Sequence, residues 1–210
     1  MLTRIKELIC LHVTNNSLKY FFLILFYATG IIAGAIFAGA LPPEKSDDLM
    51  AVISGFCNGL NDGEIKPSLI FSQSILNNIK AVALLYACTV SVYLLPLIYL
   101  HITARGFVIG FTVGFMNVFF GFQGFLFAFV SVFPQLIVLI PVIMAMSVMS
   151  QNYLTEKRRA SQKHFLNNEK KHCFIKFSYL TLAYCLFMVI PALIDAFVIP
   201  VFVRSIVRVF

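Results

Sequence analysis

The sequence lacks charge over long stretches. Between Gly106 and Ser150 there is no Asp, Glu, Lys or Arg, and only 12% of the whole chain is charged. Soluble proteins carry about 25% charged residues, and a water-soluble domain cannot hide so long an uncharged run. The hydrophobic fraction of 60% and the mean hydropathy of +0.91 point the same way. The scarcity of charge therefore excludes a water-soluble globular protein and indicates a polytopic membrane protein.

The sequence also lacks the common catalytic motifs. It contains no HExxH, GxSxG or GxxxxGK[ST] pattern, which metalloproteases, hydrolases and nucleotide-binding proteins use. Its five cysteines are scattered, with neither a CxxC pair nor the spacing of metal ligands. We therefore predict a protein that is not an enzyme and that has no catalytic residues, no metal site and no cofactor.

Long apolar runs are what the sequence does contain, and they predict an all-α, polytopic transmembrane helical bundle with interfacial helices. A chain of 210 residues has room for five or six spans of about 20 residues with short loops, so we predict one integral membrane domain over residues 1–210. We expect about five spans, with Pro96 kinking the end of the second span and His101 and Arg105 in a short cytoplasmic turn after it. The predicted order is span 20–41, outer segment 42–78, spans 79–100, 106–120 and 122–149, cytoplasmic loop 150–176, span 177–199 and tail 200–210.

The distribution of basic residues predicts the orientation. Eleven Lys and Arg residues lie on the proposed inner side and five on the outer side, which favours a cytoplasmic amino terminus. Seven of the sixteen lie between Lys157 and Lys176, beside predicted spans. Topology and anionic membrane lipid therefore explain the net charge of +7 better than nucleic acid does. Residues 1–19 and the tail 200–210 are expected to lie along the membrane surface.

Small residues recur every four positions in two predicted spans. This spacing places them on one helix face, where they allow another helix to approach closely. The third span is short and the fourth begins at Phe122, so the two form a Gly-rich hairpin with Asn117 near its tip. The length of the third span leaves open whether the hairpin crosses the membrane fully. The predicted helix-packing residues are Gly30, Gly34, Ala38, Gly106, Gly110 and Gly114.

A few polar residues and prolines interrupt the predicted spans. Asp195 is the only acidic residue within a span, and its place near the outer end of the fifth span favours an interfacial position. We expect Gln135 to bond backbone carbonyls that Pro134 leaves free. The intramembrane polar or kink-forming candidates are Asn117, Pro134, Gln135, Pro141, Asp195 and Pro200.

Two runs of sequence are distinctive. Residues 105–115 read RGFVIGFTVGF, and residues 129–135 read FVSVFPQ. Together with Pro141, with Asp195 followed by Ala196, and with Pro200, these runs resemble the stage II sporulation protein M family of endospore-forming bacteria. The likeness extends over nearly the whole chain.

The resemblance implies a role in engulfment, during which the mother-cell membrane migrates around the forespore. Members of the family are polytopic, non-catalytic scaffolds for two peptidoglycan hydrolases, sporulation protein D and sporulation protein P. The resemblance thus implies a multi-pass protein of the cell membrane, in the mother-cell and engulfing septal membrane. We expect the outer segment 42–78, the small-residue ridges and the tail to serve as partner surfaces, in that order, and self-association into a homo-oligomer is compatible with this.

One departure from the wider superfamily is informative. Non-sporulating relatives often have Pro-His-Gly-x-x-Glu-x-Pro where this chain has Pro134 to Pro141. The His and Glu positions are Gln135 and Leu139 here. Any proton or ligand chemistry of that pair is absent from this chain, which favours a scaffold over a transporter.

Two other classes remain as alternatives. A channel or transporter for small solutes or ions would use the interrupted third and fourth spans, because such breaks often form binding sites. That alternative predicts that Asn117, Gln135 and Asp195 line a common wet cavity. An intramembrane protease would need a nucleophile and a base, for which His101 is the nearest candidate.

Overall fold

The computed structural model describes residues 12–61, 67–89, 91–162 and 167–207, and in these ranges the protein is all-α. Residues 12–15 form one helical turn ahead of the first long helix. The all-α prediction is confirmed. The elements are α1 (Ser17–Gly39), α2 (Pro43–Asn61), α3 (Pro67–Cys88), a 3-10 turn (Val92–Leu94), α4 (Leu95–Gln162), α5 (Asn167–Phe187) and α6 (Val189–Val207).

Helix α4 is a hairpin. It contains 68 residues, and its backbone leaves the helical region at Gly121, where φ is 60° and ψ is −148°. This conformation is almost restricted to glycine. The first arm (residues 95–120) and the second arm (residues 122–162) lie antiparallel, since Gly124 packs on Met116 and the Tyr99 hydroxyl donates to Gln151 Oε1 at 3.4 Å. The predicted hairpin is confirmed, with its turn at Gly121.

The most extensive packing in the bundle joins α1 to the hairpin. Gly30 of α1 lies beside Thr103, and Gly34 beside Phe107, so α1 runs parallel to the first arm. The end of the bundle opposite Gly121 carries basic side chains. There the Lys19 ammonium donates to Asn152 Oδ1.

Helices α5 and α6 run antiparallel to α3. The Tyr86 hydroxyl lies 3.3 Å from the Ser178 hydroxyl, and nearer the other end Ser74 donates a hydrogen bond to Asp195. Helix α2 packs against α6. The buried core between these helices and the hairpin is formed by Leu23, Val82, Leu85, Cys88, Ile98, Ile102, Leu139, Ile143, Met146, Val148, Leu154 and Met188.

The second span was predicted with the wrong bounds. The helix covers Pro67–Cys88 instead of residues 79–100, with Pro67 at its first position, where proline is favoured. Asn77, Asn78 and Lys80 lower the hydropathy of this helix and so displaced the predicted start. Pro96 does not kink the end of a span, because it is the second residue of α4.

The third span is longer than predicted. Because α4 begins at Leu95, His101 and Arg105 lie within its first arm and do not form a cytoplasmic turn. At 1.5 Å per residue this arm measures roughly 39 Å, more than the hydrocarbon thickness of a bilayer. Four described helices are long and apolar enough to cross a membrane, and one of them folds back at Gly121, which allows five crossings.

The carboxyl-terminal third also differs from the prediction. The last span is interrupted at Met188, because Pro191 lacks an N–H donor and its ring collides with the carbonyl four residues earlier. Pro200 lies inside α6, which continues to Val207. The predicted loop 150–176 is helical up to Gln162 and again from Asn167. Most of the predicted surface segment 1–19, and the end of the tail at 208–210, lie outside the described residues.

Candidate functional site

The two small-residue ridges face each other. A Cβ atom added to Gly30, Gly34, Gly106, Gly110 or Gly114 would lie closer than 3.0 Å to backbone atoms of the opposite helix. Real Cβ atoms essentially never come so close. The sequence predicted two packing faces, and the structure brings them together as one interface between α1 and the first arm. Ala38 completes it, since its Cβ would lie 3.2 Å from one added to Gly114.

A cavity of about 720 Å³ lies beside this interface. Its walls come from α1, α3, both arms of the hairpin and α6, so five segments distant in sequence contribute to it. Most of the lining is aliphatic, for example Ile109, Leu136 and Ile143. A cavity of this size, with a few polar groups on apolar walls, has the character of a small-molecule site.

Asp195 is the acidic group of the cavity. Its side chain is only 7% exposed, and Oδ2 accepts a hydrogen bond from the Ser74 hydroxyl. Oδ1 has no hydrogen-bond partner among the residues that the structure describes. The carboxyl group lies between α3 and α6 instead of on an exposed surface of the bundle, and its predicted position near the membrane surface stays a prediction.

Arg105 is the basic group of the cavity. One guanidinium nitrogen donates to the backbone oxygen of Asn77 at 3.1 Å. The nearby Tyr27 hydroxyl also lines the cavity and is buried without a partner among the described residues. Within the described part of the chain, no hydrogen bond or ion pair joins Arg105 to Asp195, although both line the same space.

One face of α3 supplies most of the other polar groups. Ile70, Gln73, Ser74, Asn77 and Asn78 follow the spacing of one helix face and all line the cavity. The sequence analysis missed them because it assigned residues 42–78 to an outer segment. The helical spacing of these residues was the signal in the sequence that could have identified this face.

Arg105 was also missed, although a signal was present. Between Lys80 and Glu156 it is the only Asp, Glu, Lys or Arg residue. A charged residue alone in a long apolar region is by default a candidate for function. The prediction of a turn at His101 placed this charge at the surface instead.

Of the other site residues predicted from the sequence, one lines the cavity and the rest lie elsewhere in the bundle. Gln135 lines the cavity, as does Leu139, so both positions of the superfamily's His and Glu pattern face this space. Asn117 does not line it and is exposed near the hairpin tip. Pro134 and Pro141 lie within the second arm, where the backbone keeps helical angles. Pro200 is buried in α6.

The described residues contain no cluster of side chains suited to metal binding or to catalysis. Within those ranges, no group of three His, Cys, Asp or Glu side chains could hold a metal ion. His101 Nε2 is buried, and the described residues offer it no hydrogen-bond partner.

Comparison with known proteins identifies the family. The model of the family described as stage II sporulation protein M matches residues 23–200. The chain belongs to the stage II sporulation protein M family. This match includes the glycine interface, the hairpin and the cavity. No curated protein sequence and no solved structure matches the chain.

Membership confirms the resemblance drawn from the runs at 105–115 and 129–135. The protein is accordingly a sporulation-related membrane protein, and stage II sporulation protein M is not a known enzyme family. The glycines of the first run form the helix interface, and Gln135 of the second run lines the cavity. Both distinctive runs thus contribute to features that the structure describes.

Proposed function

We propose that this protein is a non-catalytic membrane scaffold for peptidoglycan hydrolases of the sporulation protein D and sporulation protein P types during engulfment. The observation that carries the proposal is the family match over residues 23–200. The protein would lie in the mother-cell and engulfing septal membrane, with its amino terminus in the cytoplasm. Cutting of peptidoglycan would belong to the partners.

The packing of the bundle supports a narrower choice of partner surface. The small-residue ridges are occupied by each other, so they offer no free surface to a partner. Of the segment 42–78, residues 67–78 belong to α3 and contribute to the bundle. Helix α2 remains, and we propose it as the docking element for the hydrolases.

The exposed face of α2 is suited to binding another protein. Glu44, Lys45 and Asp47 are exposed near its amino-terminal end, and Val52 is 72% exposed. Ser46 is buried on another side, where its hydroxyl donates to the Pro42 carbonyl at 3.1 Å. A mixed face of charged and apolar side chains at the rim of a membrane bundle can bind the extracellular domain of a partner.

Pull-down of tagged protein from sporulating cells tests the docking element. We expect the triple variant Glu44→Ala, Asp47→Ala, Val52→Ala to lose both hydrolases at normal abundance. A matched control replaces the exposed Thr155, Glu156 and Arg158 by alanine at the opposite end of the bundle, and it should retain both. Equal capture by the two variants would refute docking on α2, and capture of neither hydrolase by the unaltered protein would refute the scaffold function.

A second candidate function is solute binding or transport through the bundle. It is favoured by one observation, since Gln135 and Asp195 line a common cavity, whereas Asn117 does not. The interruption between α5 and α6 at Met188 also resembles the broken helices of transporters. Flux into proteoliposomes that depends on Asp195 would support this function, and no flux for any solute tested would count against it.

A further inference from the structure

We propose that the cavity binds a small zwitterionic molecule, with its cationic group at Asp195 and its anionic group at Arg105. The proposal rests on the second candidate function and names the ligand class of that site. It is compatible with a scaffold, because the cavity and α2 are separate parts of the molecule. Asp195 and Arg105 both line this space and have hydrogen-bonding capacity that the described residues do not fill.

Asp195 requires a positively charged or donor group. The residue is buried, with 7% of its surface exposed, and of its two carboxyl oxygens only Oδ2 has a described partner, the Ser74 hydroxyl. Burying a carboxylate with a free oxygen is unfavourable unless a cation or hydrogen-bond donor reaches it. Among the described groups none occupies Oδ1. An ammonium group of a ligand in the cavity would supply both the charge and the donors.

Arg105, in contrast, requires an anionic group. A guanidinium group has five N–H donors, and its fork geometry matches a carboxylate or phosphate. One hydrogen bond, to the Asn77 backbone oxygen, is described for it. Among the residues that the structure describes, no acidic side chain other than Asp195 lines the cavity. The remaining donors are therefore available to an anionic group of a ligand.

The absence of a described ion pair between the two charges selects the ligand class. Because Arg105 and Asp195 do not pair directly, a simple cation would compensate only the carboxylate, and a simple anion only the guanidinium. A zwitterion compensates both at once, while Gln73 and Thr112 on the walls can bond its other polar atoms. The cavity volume of about 720 Å³ lies within the usual range for small ligands.

The depth of the site favours a ligand from water. Arg105 precedes Gly106, which packs on Tyr27 in the middle of α1. A phospholipid headgroup with the same charges, such as that of phosphatidylethanolamine, normally lies at the membrane surface. Both sources share one chemistry, an ammonium group joined to an anionic oxygen group, so the test includes each.

The first experiment uses the purified full chain in detergent. The soluble probes are glycine, 4-aminobutyrate and 6-aminohexanoate, which differ in charge separation, with butyrate and butylammonium as molecules that carry one charge. Phosphatidylethanolamine added to the detergent micelles is the lipid probe. Binding is measured by equilibrium dialysis and by thermal unfolding with a thiol-reactive dye, since Cys88 is buried in the folded protein. We expect one zwitterion to bind and to raise the unfolding temperature, with affinity about tenfold or more above either singly charged molecule.

The second experiment tests which cavity residue binds the cationic group of the ligand and which binds the anionic group. Asp195→Asn should abolish the preference for a zwitterion over butyrate, and Arg105→Gln the preference over butylammonium. Asp47→Asn and Arg158→Gln make the same substitutions at exposed positions and should leave binding unchanged. If a cavity variant does not fold, the comparison of probes on the unaltered chain decides whether the cavity prefers a zwitterion.

The outcomes separate the proposal from the function on which it rests. Equal binding of zwitterions and singly charged molecules, or no binding of any zwitterion, overturns the proposed ligand class. If Asp195-dependent flux of another solute persists in that case, the second candidate function survives without it. Saturable binding of phosphatidylethanolamine, with no binding of soluble zwitterions, supports the charge assignment and identifies lipid as the source.

Discussion

The backbone of Gly110 packs directly against the carbonyl group of Ile31. A Cβ atom at position 110 would lie well inside van der Waals contact of that carbonyl, and the obstacle is backbone, which cannot rotate away. The same holds one helical turn earlier, where Gly106 faces Tyr27. The parallel packing of α1 on the first arm therefore depends on the absence of side chains at these positions.

Gly110→Leu should destabilise the protein by about 1–3 kcal/mol or more, because the two helices must move apart to admit the side chain. The measurement is the free energy of unfolding in detergent, together with protein abundance in cells. Gly55→Leu is the matched control, since nothing lies within 4 Å of a Cβ at that position in α2. Normal stability and abundance of the Gly110 variant would contradict the packing described here.

Gly121→Ala should destabilise the hairpin for a different reason. A Cβ at this position meets nothing within 4 Å, but φ is +60°, a conformation that other residues rarely adopt. The expected loss is about 1–3 kcal/mol of unfolding free energy. Gly39→Ala isolates the backbone effect, because Gly39 is equally open and has no positive φ. Equal stability of the two variants would show that the turn tolerates a side chain.

The hairpin and the glycine interface could be predicted because their signals are local. A four-residue spacing fixes a helix face, and the glycine between two apolar runs marks a turn. The cavity could not be predicted in this way. Ser74 and Asp195 are 121 positions apart, and only the antiparallel packing of α3 on α6 brings them together. Polar residues that bond such distant partners lowered the hydropathy of α3, which is why its first half was assigned to the outer segment 42–78.

Asn78→Ala should destabilise the break between α5 and α6. The Asn78 side chain is 5% exposed, and its amide donates to the Met188 backbone oxygen at 3.4 Å. This bond joins α3 to the break in the helix, so its loss should cost about 0.5–1.5 kcal/mol of unfolding free energy. Thermal unfolding measures the effect.

The neighbouring residue provides the control for this prediction. Asn77 is exposed, and its described contact with Arg105 uses the backbone oxygen. Asn77→Ala should therefore change stability by no more than about 0.5 kcal/mol. A larger loss for Asn77→Ala than for Asn78→Ala would contradict the assignment of the Met188 contact to Asn78.

Ser74→Ala should destabilise the protein by about 1–3 kcal/mol, because it removes the partner of Asp195 Oδ2 and leaves a buried carboxyl group without a donor. Adding Asp195→Asn should restore part of that loss, since a neutral amide is less unfavourable to bury than a carboxylate. The double-mutant cycle of unfolding free energies measures this coupling. Simple additivity of the two substitutions would mean that Ser74 and Asp195 do not interact in the folded protein, and the role of Asp195 in the cavity would then need another basis.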